Sequence, residues 1–404
     1  MIRNFDMKKV ARTPLTIIFL VIFIDLLGFG LIIPIIPFYL EQFVSHDANI
    51  GQLMAAMIAA YSLMQFIFAP IWGRISDRIG RRPILLMSLI GTMVTHIWFA
   101  LATELWMLFA ARILTGIFAA TVPTASAYIS DVTDESNRAR GMGLVGAAFG
   151  LGFILGPAAG GILTQFGGFR VPLFLAAFLS LAAFSVAWFK LEESRKPGVE
   201  GQTDLRRYRL STLFQALKNP RLGLLFTIFF LVSLSFSNME TIFALYAERR
   251  FAFDARSTGY VFGFIGICSA LMQGVFIGRL SKRFGEKTLI TVSTLLLSIS
   301  FLLMPVFDAV APFVLMAGLM AVSLGMHNPS VMSLVSKNAG DGGTGGVLGL
   351  NQSFSALGRV LGPLWAGFFF DHFDIGFPLT SAGILIFIAF LLSFMLHRNP
   401  KLEQ

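Results

Sequence analysis

The chain is 404 residues long, 56% hydrophobic and only 13% charged, with a formal net charge of +9. A soluble domain of this length needs far more charge on its surface, so most of the chain is solvated by lipid. The Lys and Arg residues lie almost entirely in loops between apolar runs, which argues against a nucleic-acid partner, and the single cysteine, Cys268, excludes an internal disulfide.

In chain order, Arg3, Lys8, Lys9 and Arg12 precede a first apolar run at about 15–40. That run is too long for a signal-peptide core, and no small-residue cleavage site closes it. Further runs follow at about 52–72, 84–102, 105–129, 141–164, 171–190, 222–246, 258–278, 288–307, 311–335, 346–370 and 376–396. A run of about 20 apolar residues crosses the hydrocarbon core, and only an internally hydrogen-bonded helix is tolerated there. The fold class expected is an all-α membrane protein with twelve spans. Residues 1–190 are read as one six-helix bundle and 220–404 as a second. Residues 191–219 form a polar cytoplasmic linker with Arg195, Lys196, Arg206, Arg207, Arg209 and Lys218. The connections after the odd-numbered spans hold only four of the 31 Lys and Arg, namely Arg170, Arg249, Arg250 and Arg256. The positive-inside rule therefore puts both termini in the cytoplasm.

The most distinctive stretch is the basic turn Gly73-Arg74-Ile75-Ser76-Asp77-Arg78-Ile79-Gly80-Arg81-Arg82-Pro83, between the second and third runs. A weaker copy, Gly278-Arg279-Leu280-Ser281-Lys282-Arg283-Phe284-Gly285-Glu286-Lys287, lies about 205 residues on. Other landmarks keep the same interval. Gly156-Pro157 matches Gly362-Pro363, Pro123 matches Pro329, and Tyr39 and Glu41 match Tyr246 and Glu248. A duplicated helical unit is the signature of a secondary transporter, with sites near the midplane where the repeats meet.

The pattern Gly-x-x-x-Asp-Arg-x-Gly-Arg-Arg resembles the loop signature of the major facilitator superfamily. Gly152-Phe-Ile-Leu-Gly156-Pro157-Ala-Ala-Gly160-Gly161 is similar to its antiporter motif, although such glycines also serve ordinary close helix packing. Asp25-Leu-Leu-Gly28-Phe-Gly30-Leu-Ile-Ile-Pro34-Ile-Ile-Pro37 looks like the first span of twelve-helix drug/proton antiporters. Leu108-Phe-Ala-Ala-Arg112-Ile-Leu-Thr-Gly116 resembles their membrane-arginine motif. Over roughly residues 25–161, with Tyr61, Gln65, Pro70 and Asp131, the chain resembles tetracycline/proton antiporters. It departs from them at Thr95, where those exporters carry a carboxylate, and in lacking a carboxylate at 290–303. Both departures tell against a metal-chelated tetracycline. Asn238-Met-Glu240-Thr-Ile-Phe-Ala-Leu-Tyr246 looks like the seventh span of Gram-positive multidrug efflux pumps. For Gly73, Asp77, Arg78, Gly80, Arg81 and Asp131 the resemblance implies conformational gating; the bland alternative for Asp77 is a topology signal only.

A charge at the bilayer centre costs about 2.5–3.5 kcal/mol on insertion scales, so each one needs a reason. Four candidates occur: Asp25, Arg112, Glu240 and Arg359. Asp25 lies about 15 Å into its helix, near the midplane. It is read as a proton-titrating carboxylate tuned by Arg112, against the alternative of a fixed Asp25–Arg112 ion pair. Glu240 is read as exchanging a proton for a cationic substrate, against pairing with Arg249 or Arg250. Arg359 is read as balancing Glu240 or attracting an anion, against a structural role on backbone carbonyls. Gln65, His96, Asn238, Gln273, His327, Asn328, Asn351 and Gln352 are candidate cavity-lining groups, or else interhelical hydrogen bonds. Of these, His96 and His327 are also candidate proton carriers.

The function expected is proton-coupled export of small amphiphilic drugs by alternating access, multidrug in range. The alternatives are a narrow tetracycline-type antiporter, or a metabolite or lipid transporter on the same scaffold. The chain carries no phosphate-binding loop of the Gly-x-x-x-x-Gly-Lys-Ser/Thr type. The expectation is therefore a non-enzyme without metal or cofactor, driven by the proton gradient. Its expected partners are a small-molecule substrate, protons and the plasma-membrane bilayer, and its expected state is monomeric.

Overall fold

The computed structural model describes residues 12–44, 49–133, 135–194, 219–338 and 344–397. Most of the linker expected at 191–219, and the basic flank through residue 11, lie outside the described residues. Every regular element among the described residues is a helix. In lipid, a backbone that bonds itself is the structure available to an open chain.

The long helices, in order, are α1 (Arg12–Ile32), α2 (Ile50–Ile79), α3 (Arg81–Ala100), α4 (Leu105–Phe118), α5 (Thr121–Val132), α6 (Glu135–Leu163) and α7 (Arg170–Lys190). They continue with α8 (Pro220–Phe251), α9 (Ala255–Leu271), α10 (Ile277–Leu303), α11 (Val310–Lys337), α12 (Thr344–His372) and α13 (Phe377–Ser393). Among the described residues, nine helical stretches are long and apolar enough to cross a bilayer. One of them, Ala255–Val306, is 52 residues long, enough for two crossings.

Proline and glycine decide where these helices stop. Pro34 and Pro37 tighten the chain after α1 into a 3-10 turn, Ile33–Ile35, and a short helix, Ile36–Leu40. The run at 105–129, expected as one span, is one membrane-length stretch, Leu105–Val132, built of two helices. Pro123 would drive its ring into the carbonyl of Ala119, and Ala119 leaves the helical region at φ −72°, ψ 58°. Gly80 separates α2 from α3 at φ 106°, ψ 161°, and Gly285 interrupts α10 at φ 75°, ψ 157°. Both φ values are ones that side chains resist, and they occur at the same place in the two basic turns. The sequence repeat is thus a repeat of backbone conformation.

The chain folds into two compact units. The first comprises Met1–His46, Ala60–Glu200 and Ala255–Gly263; the second comprises Asp47–Ala59, Gly201–Asp254 and Phe264–Gln404. Helices α2 and α9 contribute residues to both.

In the first unit, Ile18, Val21, Ile22, Leu85, Leu89, Tyr128, Ile129 and Ala183 make a buried apolar core. Glycines at a spacing of four share one face of α6, and that face lies directly on α1. A side chain at Gly156 would come within 2.7 Å of the Gly30 Cα, and one at Gly152 within 2.8 Å of the Leu26 Cβ. Gly160 meets the backbone of Leu31 equally closely, and Gly161 meets the backbone of Ala255. At Gly152, Gly156, Gly160 and Gly161 the neighbouring chain leaves no room for a side chain.

The second unit repeats the arrangement. Gly358 and Gly362 of α12 approach α8 so closely that a Cβ would lie 2.8 Å from the Leu234 nitrogen and 2.6 Å from its oxygen, respectively. Rings fill the remaining space, Phe226 stacking on Phe354 at 5.5 Å and Phe243 on Phe313 at 5.3 Å. Asn219 caps α8 by accepting from the Arg221 amide at 3.1 Å, with Pro220 in the first turn where no N–H is needed.

Candidate functional site

In the first unit, Asp25 sits on α1 with part of its surface exposed. Thr121, the first residue of α5, stands beside it. Thr121 and Ser88 of α3 share a hydrogen bond of 2.9 Å, and Ser88 also donates to the Phe118 carbonyl at 2.5 Å. The Ala120 amide donates back to Ser88 at 3.2 Å. The carboxylate therefore stands at the gap between α4 and α5, where backbone groups freed by Pro123 are taken up by one serine.

Arg112, on α4, is not brought to Asp25. It is buried, and its guanidinium lies 5.8 Å from the Tyr61 ring centre and 5.4 Å from that of Phe99. No ion pair holds Arg112 among the described residues, so the fixed Asp25–Arg112 pair is not formed. Aromatic faces instead supply partial negative charge to the guanidinium. Gln65 donates to the Tyr61 hydroxyl at 3.4 Å, which joins it to this cluster. His96 is buried beside Gly28 of α1, its Cε1 within 3.8 Å of where a Gly28 side chain would begin, and its Nδ1 has no hydrogen-bond partner.

In the second unit, Glu240 of α8 and Arg359 of α12 are near enough for the guanidinium to act on the carboxylate. Arg359 also donates to Ser355 at 2.9 Å, and Ser233 donates to the same hydroxyl at 3.2 Å. Arg250 pairs with Asp308, not with Glu240. Asn238 is fully buried with neither amide atom hydrogen-bonded. His327 is fully buried, shares a hydrogen bond of 3.3 Å with Ser293 through Nδ1, and stacks on Phe229. Asn351 is buried and donates to the Met332 sulfur at 3.4 Å. Gln273, which bonds Ser269 at 2.8 Å, is exposed, as are Asn328 and Gln352.

The basic turn of the first unit is organised by Arg81. Its side chain reaches Asp77 at 2.7 Å, Asp131 at 3.0 Å and Ser76 at 2.6 Å, which ties α2, α3 and α5 together. Sequence reasoning singled out Asp77, Arg81 and Asp131 but missed Glu193. Its carboxylate accepts the Arg81 and Arg82 amides at 2.8 and 3.1 Å and so caps α3. Gly80 has no side chain to cap with, and an acidic residue at a helix N-terminus satisfies both the amides and the dipole. The available signal was Leu191-Glu192-Glu193-Ser194, an acidic pair directly after a span. Arg82 packs on Trp188 and donates to its carbonyl. Arg78 is exposed, and a side chain at Gly73 would meet nothing within 4 Å.

The second unit carries the same bridge with its signs reversed. Glu286, 205 residues after Arg81, pairs with Lys337, 206 residues after Asp131, and accepts from Ser333 at 3.0 Å. Among the described residues there is no cluster of side chains that would hold a metal ion.

Comparison with known proteins matches this arrangement. The family described as Major Facilitator Superfamily matches residues 18–363 and again 258–404. The class E tetracycline resistance protein of Escherichia coli is 33% identical over 357 residues, covering 87% of this chain and 86% of the relative. Multidrug resistance protein 2 of Bacillus subtilis is 30% identical over 390 residues, covering 95% of each. Among solved structures, the human organic anion transporter MFSD10 (TETRAN) superposes with a TM-score of 0.71 at 27% identity, over 95% of this chain and 99% of that one. A bacterial homologue of the lysosomal transporter Spinster reaches 0.74 at 14% identity, which speaks to the fold alone.

Proposed function

This chain belongs to the Major Facilitator Superfamily, a family of transport proteins and not of enzymes, and from that premise we propose that it exports small amphiphilic drugs in exchange for protons. Transport proceeds by alternating access in the plasma membrane, with both termini cytoplasmic and the chain acting as a monomer. The proton gradient is the sole energy source and no cofactor takes part.

The observation that carries this reading is Asp25. It is a carboxylate deep in an apolar helix, with part of its surface exposed and no neutralising cation beside it among the described residues. A structural ion pair would hold its charge permanently. A carboxylate without such a partner can change protonation as its surroundings alternate between wet and dry. Glu240 is the second acidic group, and its nearness to the exposed Arg359 suits it to exchange one cationic partner for another. Asp77, Arg81 and Asp131 then serve as the gating network at the cytoplasmic ends of α2, α3 and α5. The relatives that share most of the chain's length are named for tetracycline and for multidrug resistance.

The narrower reading, a tetracycline exporter, is favoured by the class E relative. Thr95 and the absence of a carboxylate at 290–303 favour the broader one. The deciding experiment is a susceptibility panel in an efflux-deficient bacterial host, paired with drug-driven proton exchange in everted vesicles. Wild-type chain raises resistance to several unrelated cations, and Asp25→Asn removes both resistance and exchange at equal expression. Resistance to tetracycline alone selects the narrow reading, and undiminished exchange in Asp25→Asn rejects the proposed role of Asp25.

A further inference from the structure

Two helices change units along their length. The start of α2, through Ala59, belongs to the second unit, and α2 from Ala60 onward belongs to the first. The start of α9, through Gly263, belongs to the first unit, and α9 from Phe264 onward belongs to the second. The exchange is reciprocal and falls at matching places of the repeat. Each exchanged start is seated against a glycine. Gly367 of α12 lies so close to the Gly51 carbonyl of α2 that no side chain fits between them. Gly161 of α6, 206 residues before Gly367, meets the Ala255 carbonyl of α9 in the same way.

The two seats differ in their chemistry. Asp371, at the end of α12, accepts the Gly51 amide at 3.1 Å and the Gln52 amide at 2.7 Å. Both amides are in the first turn of α2, where no carbonyl within the helix is available to them, and a carboxylate also suits the positive end of a thirty-residue helix. The cap of α2 thus comes from a different helix of the second unit. Beside it, Gln52 Nε2 stands 3.3 Å from His372 Nδ1, and the Phe370 ring lies against Gly51. In the other seat the residue matching Asp371 is Gln165, exposed and uncharged. The residue matching Gln52 is Thr258, whose buried hydroxyl has no hydrogen-bond partner. The carboxylate cap therefore belongs to one seat and not to the repeat. Asp371 is half-buried and His372 is exposed, so water can take over these hydrogen bonds when they break. The connections at 41–51 and 371–375 are both among those that the positive-inside rule assigns to the outside.

We propose that Asp371 is a releasable latch at the outer end of the transporter. Its carboxylate holds the first turn of α2 on α12, and this contact breaks and re-forms in each transport cycle. The proposal rests on the alternating-access reading. Because α2 has residues in both units, its start must either leave α12 during the cycle or stay docked while the helix bends. Bending has a natural place, Pro70 inside α2, and the matching stretch of α9, Met272–Phe276, is a π-helical turn. The latch favours leaving, because it consists of polar groups at a wet helix end and of a glycine contact with no side chains to disengage.

The test uses full-length protein in proteoliposomes, in a Cys268→Ala background, with ethidium and tetracycline as probes. Gln52→Cys and His372→Cys are combined and joined by a short bis-thiosulfonate. Joining lowers drug-driven proton exchange at least tenfold, dithiothreitol restores it, and the reagent does not affect either single-cysteine variant. Exchange within twofold of the unjoined protein means that α2 bends with its start still docked, and overturns the latch. Should the double variant fail to accumulate, Phe370→Cys reports the same contact through labelling by a membrane-impermeant maleimide from the outer face. Labelling quickens about fivefold when Asp371→Ala is added, and, with Asp371 intact, it quickens when a proton gradient drives exchange. A cap that only stabilises the helix end would not respond to the gradient, so labelling indifferent to it overturns the latch. Absence of exchange in the wild-type chain with either probe overturns the transport reading and the latch with it.

Discussion

Glu240 and Arg359 show how much a single side chain can decide in this protein. They lie on α8 and α12 of the second unit, and the guanidinium acts on the carboxylate. If Glu240 offers its charge to a cation, removing that charge costs cationic substrates and spares neutral ones. Glu240→Gln is expected to lower resistance to ethidium about tenfold while changing resistance to a neutral compound less than twofold, in paired susceptibility assays; equal losses on both give Glu240 another role. Glu193 does structural work in the first unit. It is the side chain that satisfies the start of α3, through the Arg81 and Arg82 amides. Glu193→Ala is expected to cost about 1 kcal/mol, read as an earlier thermal midpoint of the solubilised protein.

Helices in this chain end where a glycine or a proline makes them end. Gly80 and Gly285 adopt positive φ in corresponding turns, so Gly80→Ala is expected to destabilise the turn by about 1 kcal/mol or more, measured by thermal unfolding in detergent. The bridges beside these glycines have opposite polarity. Asp77, Arg81 and Asp131 occupy the positions that Lys282, Glu286 and Lys337 hold in the second half. What the scaffold requires at this place is a pair of opposite charges, and either polarity meets that need. Arg81→Glu alone strands a buried acid between two others and should cost about 3 kcal/mol or more. The triple exchange Asp77→Lys, Arg81→Glu, Asp131→Lys should recover most of that loss of thermal stability. No recovery would show that the first unit depends on the guanidinium itself, through its bond to Ser76.

On the scale of the whole molecule, the loops predict the orientation. Four of the 31 Lys and Arg lie in the connections after odd-numbered spans, which assigns those connections to the outside. A fluorescent protein fused to the C-terminus should fluoresce, and alkaline phosphatase fused at the same place should be inactive. Active phosphatase there would reverse the orientation and the cytoplasmic placement of the Arg81 network. Each of the two compact units has its own glycine-lined helix crossing.

The helical class, the apolar runs, the repeat and the identity of the charges within those runs are all present in the amino-acid order. Lipid leaves the backbone one way to satisfy itself, and a charge in an apolar run is conspicuous. The glycine face of α6 was legible for the same reason, since a spacing of four places residues on one side of a helix. Pairing was legible only in part: Arg359 was read beside Glu240, and the guanidinium does act on that carboxylate. The membrane arginine rests on Tyr61 and Phe99 rather than on Asp25, the cap of α3 comes from a residue 112 positions away, and a proline tolerated in α11 splits α4 from α5. Such outcomes depend on which neighbour takes up each freed hydrogen-bonding group, and neighbours distant in sequence become neighbours only when the helices pack.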